Sequence, residues 1–153
     1  MKSVSPRSIS ELAATVGVLA GLLFVGVEIR NNTAVARAET RREVAAQNIE
    51  MVMRIAEDED LMRLWSTPWT MEFFDSLSQV DQGRLTFTAI GFILRLESTY
   101  LQFEQGLLEA AGLRGYGFVQ PRVDDPWFRD LWTGYRVSLD PDFVSYFETE
   151  NGY

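Results

Sequence analysis

From Leu12 to Val27 the chain carries no charged residue, and only Thr15 is clearly polar. Wound as a helix, that stretch covers about 24 Å, short of the roughly 30 Å hydrocarbon core of a bilayer. Ile9, Ser10 and Ile29 extend it to about the twenty residues a span needs, with Glu11 and Glu28 at the two interfaces. Two other readings compete. A cleaved signal would use Met1 to Arg7 as its basic part and Ala34-Val35-Ala36 as its cleavage site, but Glu28 and Arg30 intervene and the gap is long. A soluble core helix is also apolar all round, yet a domain in a chain of 153 residues rarely buries a helix with no polar face. A membrane anchor is the reading the pattern favours.

Small residues four apart, Ala13, Gly17 and Gly21, let two membrane helices approach closely, although such spacing also arises by chance. Steps of four and three carry the pattern through Phe24, Glu28 and Asn31, which with the three small residues form a candidate helix-association face. Beyond the span the same steps meet Val35, Ala38, Arg42, Ala45, Ile49, Val52 and Ala56, mostly small or apolar. No glycine or proline interrupts Thr33 to Glu57, so a helix is expected there. If it continues the span, Ile9 to Glu57 makes one rod of about 73 Å. Its 3.5-residue period suits helix pairing, with Glu28, Asn31 and Arg42 setting register. Two alternatives stay open: the seam packs on this chain's own later helices, or Asn31-Asn32-Thr33 caps a fresh helix and breaks the rod.

Further on, the acidic run Glu57 to Asp60 reads as a solvated corner, and Ser66-Thr67-Pro68 as punctuation. Ser78-x-x-Asp81 resembles a capping box that opens a second long helix through about Leu108. Its stripe of Leu85, Ala89, Phe92, Leu96, Tyr100, Phe103 and Leu107 is widened by Ile90, Ile93, Leu94 and Leu101, as for a helix buried on more than one side. Gly112 to Arg122 is glycine-rich, but Gly112, Gly115 and Gly117 lack the preceding strand and following lysine of a phosphate loop. Asp125-Pro126 and Asp140-Pro141 each read as a cap followed by proline at the first helical position. The aromatics after them, Trp127, Phe128, Trp132, Tyr135, Phe143, Tyr146 and Phe147, are expected to be core rather than a ligand cage.

Composition narrows the chemistry. There is no cysteine and no histidine, which removes thiolate nucleophiles, disulfides, thiolate metal sites and the usual general base. Glu97 and Glu104 share a helical face and with Glu109 or Asp81 offer oxygen ligands to a hard cation, but helical di-metal sites add Glu-x-x-His motifs that cannot exist here. No catalytic, cofactor-binding or metal-ligating residue is assigned, and no cofactor is implied. The net charge of −8 is uneven. Residues 1–42 hold six basic against three acidic side chains, and residues 43–153 hold eight arginines against 19 acids, so +3 faces −11. A basic front suits an anionic membrane surface, and an acidic body argues against nucleic acid. Arg30, Arg37, Arg41 and Arg42 follow the span while Lys2 and Arg7 precede it, which by the positive-inside rule places the body in the cytoplasm.

The segment ending in Val27-Glu28-Ile29-Arg30-Asn31-Asn32-Thr33 resembles a family of short uncharacterised bacterial proteins whose N-terminal hydrophobic segment ends in a Gln/Glu-Ile-Arg-x-Asn-Thr signature. The likeness continues through Tyr100 to Leu108, Trp132, and Phe143 to Glu148, where the matches are mostly aromatic. It implies a membrane anchor, in a bacterial inner membrane, and carries no activity. The expected chain is all-α: a tail (1–8), a transmembrane helix (9–29), a juxtamembrane helix (30–65) and a small helical domain (66–153). Its expected role is non-enzymatic association with membrane lipid and with itself, as a homo-oligomeric scaffold. An accessory subunit of a larger membrane complex and a binding module with an aromatic C-terminal pocket are the alternatives.

Overall fold

The computed structural model describes residues 6–110, 113 and 122–153, with side chains described from residue 14 onward. The first five residues, the glycines of the 112–117 stretch and the side chain of Ala13 lie outside the described residues. The described chain is all-α. It opens on α1 (Pro6–Glu57), followed by α2 (Glu59–Ser66), α3 (Met71–Ser76) and α4 (Gln79–Glu104). After the undescribed stretch come α5 (Pro126–Tyr135), a 3-10 turn (Arg136–Ser138) and α6 (Pro141–Asn151). Two compact units divide it, Met1–Glu39 and Thr40–Tyr153.

The first unit is the N-terminal part of α1. Its apolar side chains, among them Leu19, Leu22, Leu23, Phe24 and Val25, are exposed around the helix. The helix is long and apolar enough to cross a membrane, with a window of mean hydropathy 1.4. Asn31-Asn32-Thr33 does not break it. The Thr33 hydroxyl donates to the Ile29 carbonyl at 2.9 Å, one turn back, so it bonds inside the helix instead of capping a new one.

The second unit is built around α4. Leu85, Ala89, Phe92, Ile93, Leu96, Thr99 and Tyr100 are buried on it, and Leu64 of α2, Trp127, Phe128 and Trp132 of α5, and Phe143 and Phe147 of α6 close over them. The C-terminal aromatics thus fill the core: Trp132 and Phe147 lie 4.3 Å apart by ring centroids, and Trp69 meets Trp127 edge-on at 5.5 Å. Buried indoles need a partner for N–H; Trp69 donates to the Leu64 carbonyl at 3.0 Å and Trp132 to the Glu148 carboxylate at 3.1 Å.

Several boundaries differ from the sequence expectation, each for a local reason. The helix expected over 30–65 is interrupted at Asp58, whose carboxylate accepts from the Leu61 N–H at 3.0 Å and caps α2. The acidic run is therefore partly structural, because Asp60 also pairs with Arg84 at 2.9 Å. Ser78 does cap α4 through the Asp81 N–H. That helix ends at Glu104, before Leu108, because Gly106 adopts φ +71°. Its N–H donates to the Phe103 carbonyl and that of Leu107 to the Gln102 carbonyl, the paired bonds of a Schellman stop. Asp140 caps α6, whereas the Asp125 carboxylate turns away from α5 to accept the Trp69 N–H at 2.9 Å. The compact body begins at Thr40, within α1, well before residue 66.

Candidate functional site

The association face proposed for the span lies on a stretch of helix whose described side chains, residues 14–35, are exposed. Gly17 and Gly21 are open: a Cβ added at either would find nothing within 4 Å. Phe24, Glu28 and Asn31, on the same steps of four and three, are exposed. The arginines after the span diverge in their roles. Arg30, Arg37 and Arg42 are exposed, while Arg41 reaches Glu109 at 2.6 Å, tying the start of the body's share of α1 to the segment after α4.

Within the body, α1 carries two stripes, and the structure separates them. Val44 is buried and Thr40, Asn48, Met51 and Ile55 are half-buried, spaced by four and three along the face turned inward. The seam read from the sequence is shifted by one residue, about 100° round the helix. Ile49 is 64 % exposed and Val52 62 %, Ala38, Arg42 and Ala56 are exposed, and only Ala45 is half-covered. Val35, assigned to the first unit, is exposed as well. The reading in which Ile49 and Val52 pack on this chain's own later helices is therefore corrected: Asn48 bonds Arg95 of α4 and Met51 packs against the core, leaving the seam as an apolar strip on the surface. The hydrophobic pattern held both stripes, but Asn48 at the centre of the packed one masked it.

Asn48 has a physical reason to face inward. Its amide donates to the Val44 carbonyl at 2.7 Å, and its oxygen accepts from the Arg95 guanidinium of α4. Arg95 also lies over the Phe92 ring at 5.1 Å, and burial pushes its pKa down. No motif in the sequence marks this pairing, because its two halves lie on different helices.

Three of the four carboxylates considered for cation binding, Glu97, Asp81 and Glu109, are held elsewhere. Glu97 accepts the Asp140 N–H at 2.6 Å, Asp81 pairs with Arg63 at 3.3 Å and Glu109 with Arg41. Among the described residues no group of three such side chains is placed to share an ion. Another residue missed in the sequence is Arg122, which donates to the Trp65 and Thr67 carbonyls and covers the Trp69 ring at 5.2 Å. It fastens the turn after α2 to the approach to α5, with no motif to advertise it. Comparison of the chain with protein-family models, with curated proteins and with solved structures finds no match.

Proposed function

We propose that this chain is a non-enzymatic, single-span protein of a bacterial inner membrane that acts by association, as a homo-oligomeric scaffold with its body in the cytoplasm. The observation that carries the reading is the exposed strip of Ile49, Val52 and Ala56 on α1, beside the stripe the body already uses. An apolar seam in heptad steps on a helix face is what a second helix covers. In the bilayer, the open face at Gly17 and Gly21 supports close helix approach, where packing rather than hydrophobic burial drives association. The arginines after the span support the orientation.

The test is the mass and composition of the particle extracted from its native membrane in a mild detergent. A mass at a multiple of 17.4 kDa with only this chain present is expected. Gly21→Ile should shift it toward single copies by blocking approach in the membrane, and Ile49→Glu should do so by placing charge on the exposed seam. Foreign proteins in fixed ratio would make the chain an accessory subunit instead. Recovery in the soluble fraction without detergent would remove the anchor altogether.

A further inference from the structure

The side of α4 turned away from the core is apolar, where the solvent face of a packed helix is ordinarily polar. Val80, Phe87, Leu94 and Leu101 stand there seven residues apart, all exposed, Phe87 to 75 % and Val80 to 68 %. Between them, on steps of four and three, lie Arg84, Gly91 and Ser98, exposed as well. This is a second seam of 3.5-residue period, like the one on α1, with large positions alternating with small or polar ones. Acids are kept off its centre. The chain has 22 acidic residues, yet none falls between Gln82 and Leu96, so this face lacks the charge that keeps the rest of the surface in water.

The two seams lie apart on the body. Phe87 of α4 lines a groove with Gln47 and Arg54 of α1, and Ile49 and Val52 lie about 150° round α1 from those two residues. One copy can therefore be covered on both seams at once. The seams also differ in the size of their side chains. Within the body, α1 offers Ala45 and Ala56 beside Ile49 and Val52, whereas every seventh residue of the α4 seam is large. Helices pack well when large residues meet small ones. Pairing α4 with its own copy in parallel register sets Phe87 on Phe87, Gly91 on Gly91 and Arg84 on Arg84, and α1 paired in the same way stacks Arg42 on Arg42. The mixed pair avoids this. Both seams advance in steps of four and three, so Ala45 opposite Leu94 brings Ile49 opposite Ser98 when the helices run parallel. When they run antiparallel, Ile49 meets Gly91, again a small residue.

We propose that the outward face of α4 is covered by the α1 seam of a second copy of this chain, so that the oligomer is built head to tail. The inference rests on the association reading above and names the two surfaces through which the bodies meet. A contact between two different faces leaves one seam uncovered at each end, so the assembly closes as a ring or continues as a row and does not stop at a two-fold dimer.

The test exploits the absence of native cysteine. Ala56→Cys marks the α1 seam and Ser98→Cys the α4 seam, both at small exposed residues. Full chains carrying one or the other, only one of them affinity-tagged, are co-expressed and treated in their membranes with a short bismaleimide. Covalent pairs holding one chain of each kind are expected, with neither variant cross-linking to itself, and the double variant should give a ladder of three or more copies. Phe87→Glu, at an exposed site and so native in its circular dichroism, should cut the mixed product severalfold; Val80→Glu, one step of seven earlier, serves if that variant fails to fold. Self-linking of either single variant in place of the mixed product, or an unchanged yield in the glutamate variants, would overturn the proposal. A particle at a multiple of 17.4 kDa that yields no mixed product overturns it while leaving the association reading intact. Single copies before any cross-linking end both.

Discussion

Glu148 accepts hydrogen bonds from Arg136 at 2.5 Å and Trp132 at 3.1 Å, and these partners, in that order, hold its carboxyl below the ordinary carboxylate range against a smaller opposing effect of burial. With the folded pKa depressed, the stabilisation is present above the unfolded value and is lost as pH falls through the folded one. Glu148→Gln keeps an acceptor for the indole but removes the titration. Urea midpoints in Glu148→Gln should therefore fall less steeply below pH 4 than in the native chain. Tyr153 shows the opposite sign. Its hydroxyl donates to the Val123 carbonyl at 2.6 Å, and burial pushes its pKa up to about 12, with Arg129 pulling against that and Asp124 and Glu148 adding to it. The unfolded chain ionises first, at about pH 10. Stability from this residue is complete below that pH and declines as pH rises toward 12. Tyr153→Phe should show a shallower alkaline decline, at a cost near neutrality of about 1 kcal/mol for the lost hydrogen bond. None of this was legible in the sequence, because the hydrogen bonds to Arg136 and to the Val123 carbonyl join residues 12 and 30 apart.

Helices were legible at the scale of the element, and their faces were less so. Leu94 and Leu96 are equally apolar in the α4 stripe, yet Leu96 is fully buried and Leu94 is 43 % exposed. Leu96→Ala should cost about 2–5 kcal/mol by leaving a cavity, whereas Leu94→Ala should cost less than about 1 kcal/mol; equilibrium urea unfolding of the two variants checks the difference. The end of α4 offered a readable signal in Gly106 followed by Leu107, the glycine and apolar pair of a Schellman stop. Gly106→Ala, forced to φ +71°, should lower stability by about 1 kcal/mol on the same measurement. The break at Asp58 was similarly available, since an aspartate three residues before Leu61 is a capping signal, hidden inside a run of four acids.

At the scale of the molecule, the absence of cysteine offers a direct test of orientation. A single cysteine at exposed Ser145, in intact cells, should resist a membrane-impermeant maleimide and react after the membrane is opened, as a cytoplasmic body requires. Labelling in intact cells would place the body outside. The all-α class, the apolar first helix and the helix-forming character of Thr33 to Glu57 came from composition and periodicity, since these depend only on neighbours within a few turns of the chain. So did the exclusion of thiol and imidazole chemistry, which needs no coordinates. The choice between the two α1 stripes required packing. Asn48 turns inward because α4 supplies Arg95 to meet it, Met51 on the same face packs against the core, and Ile49 and Val52 are left outside as a consequence.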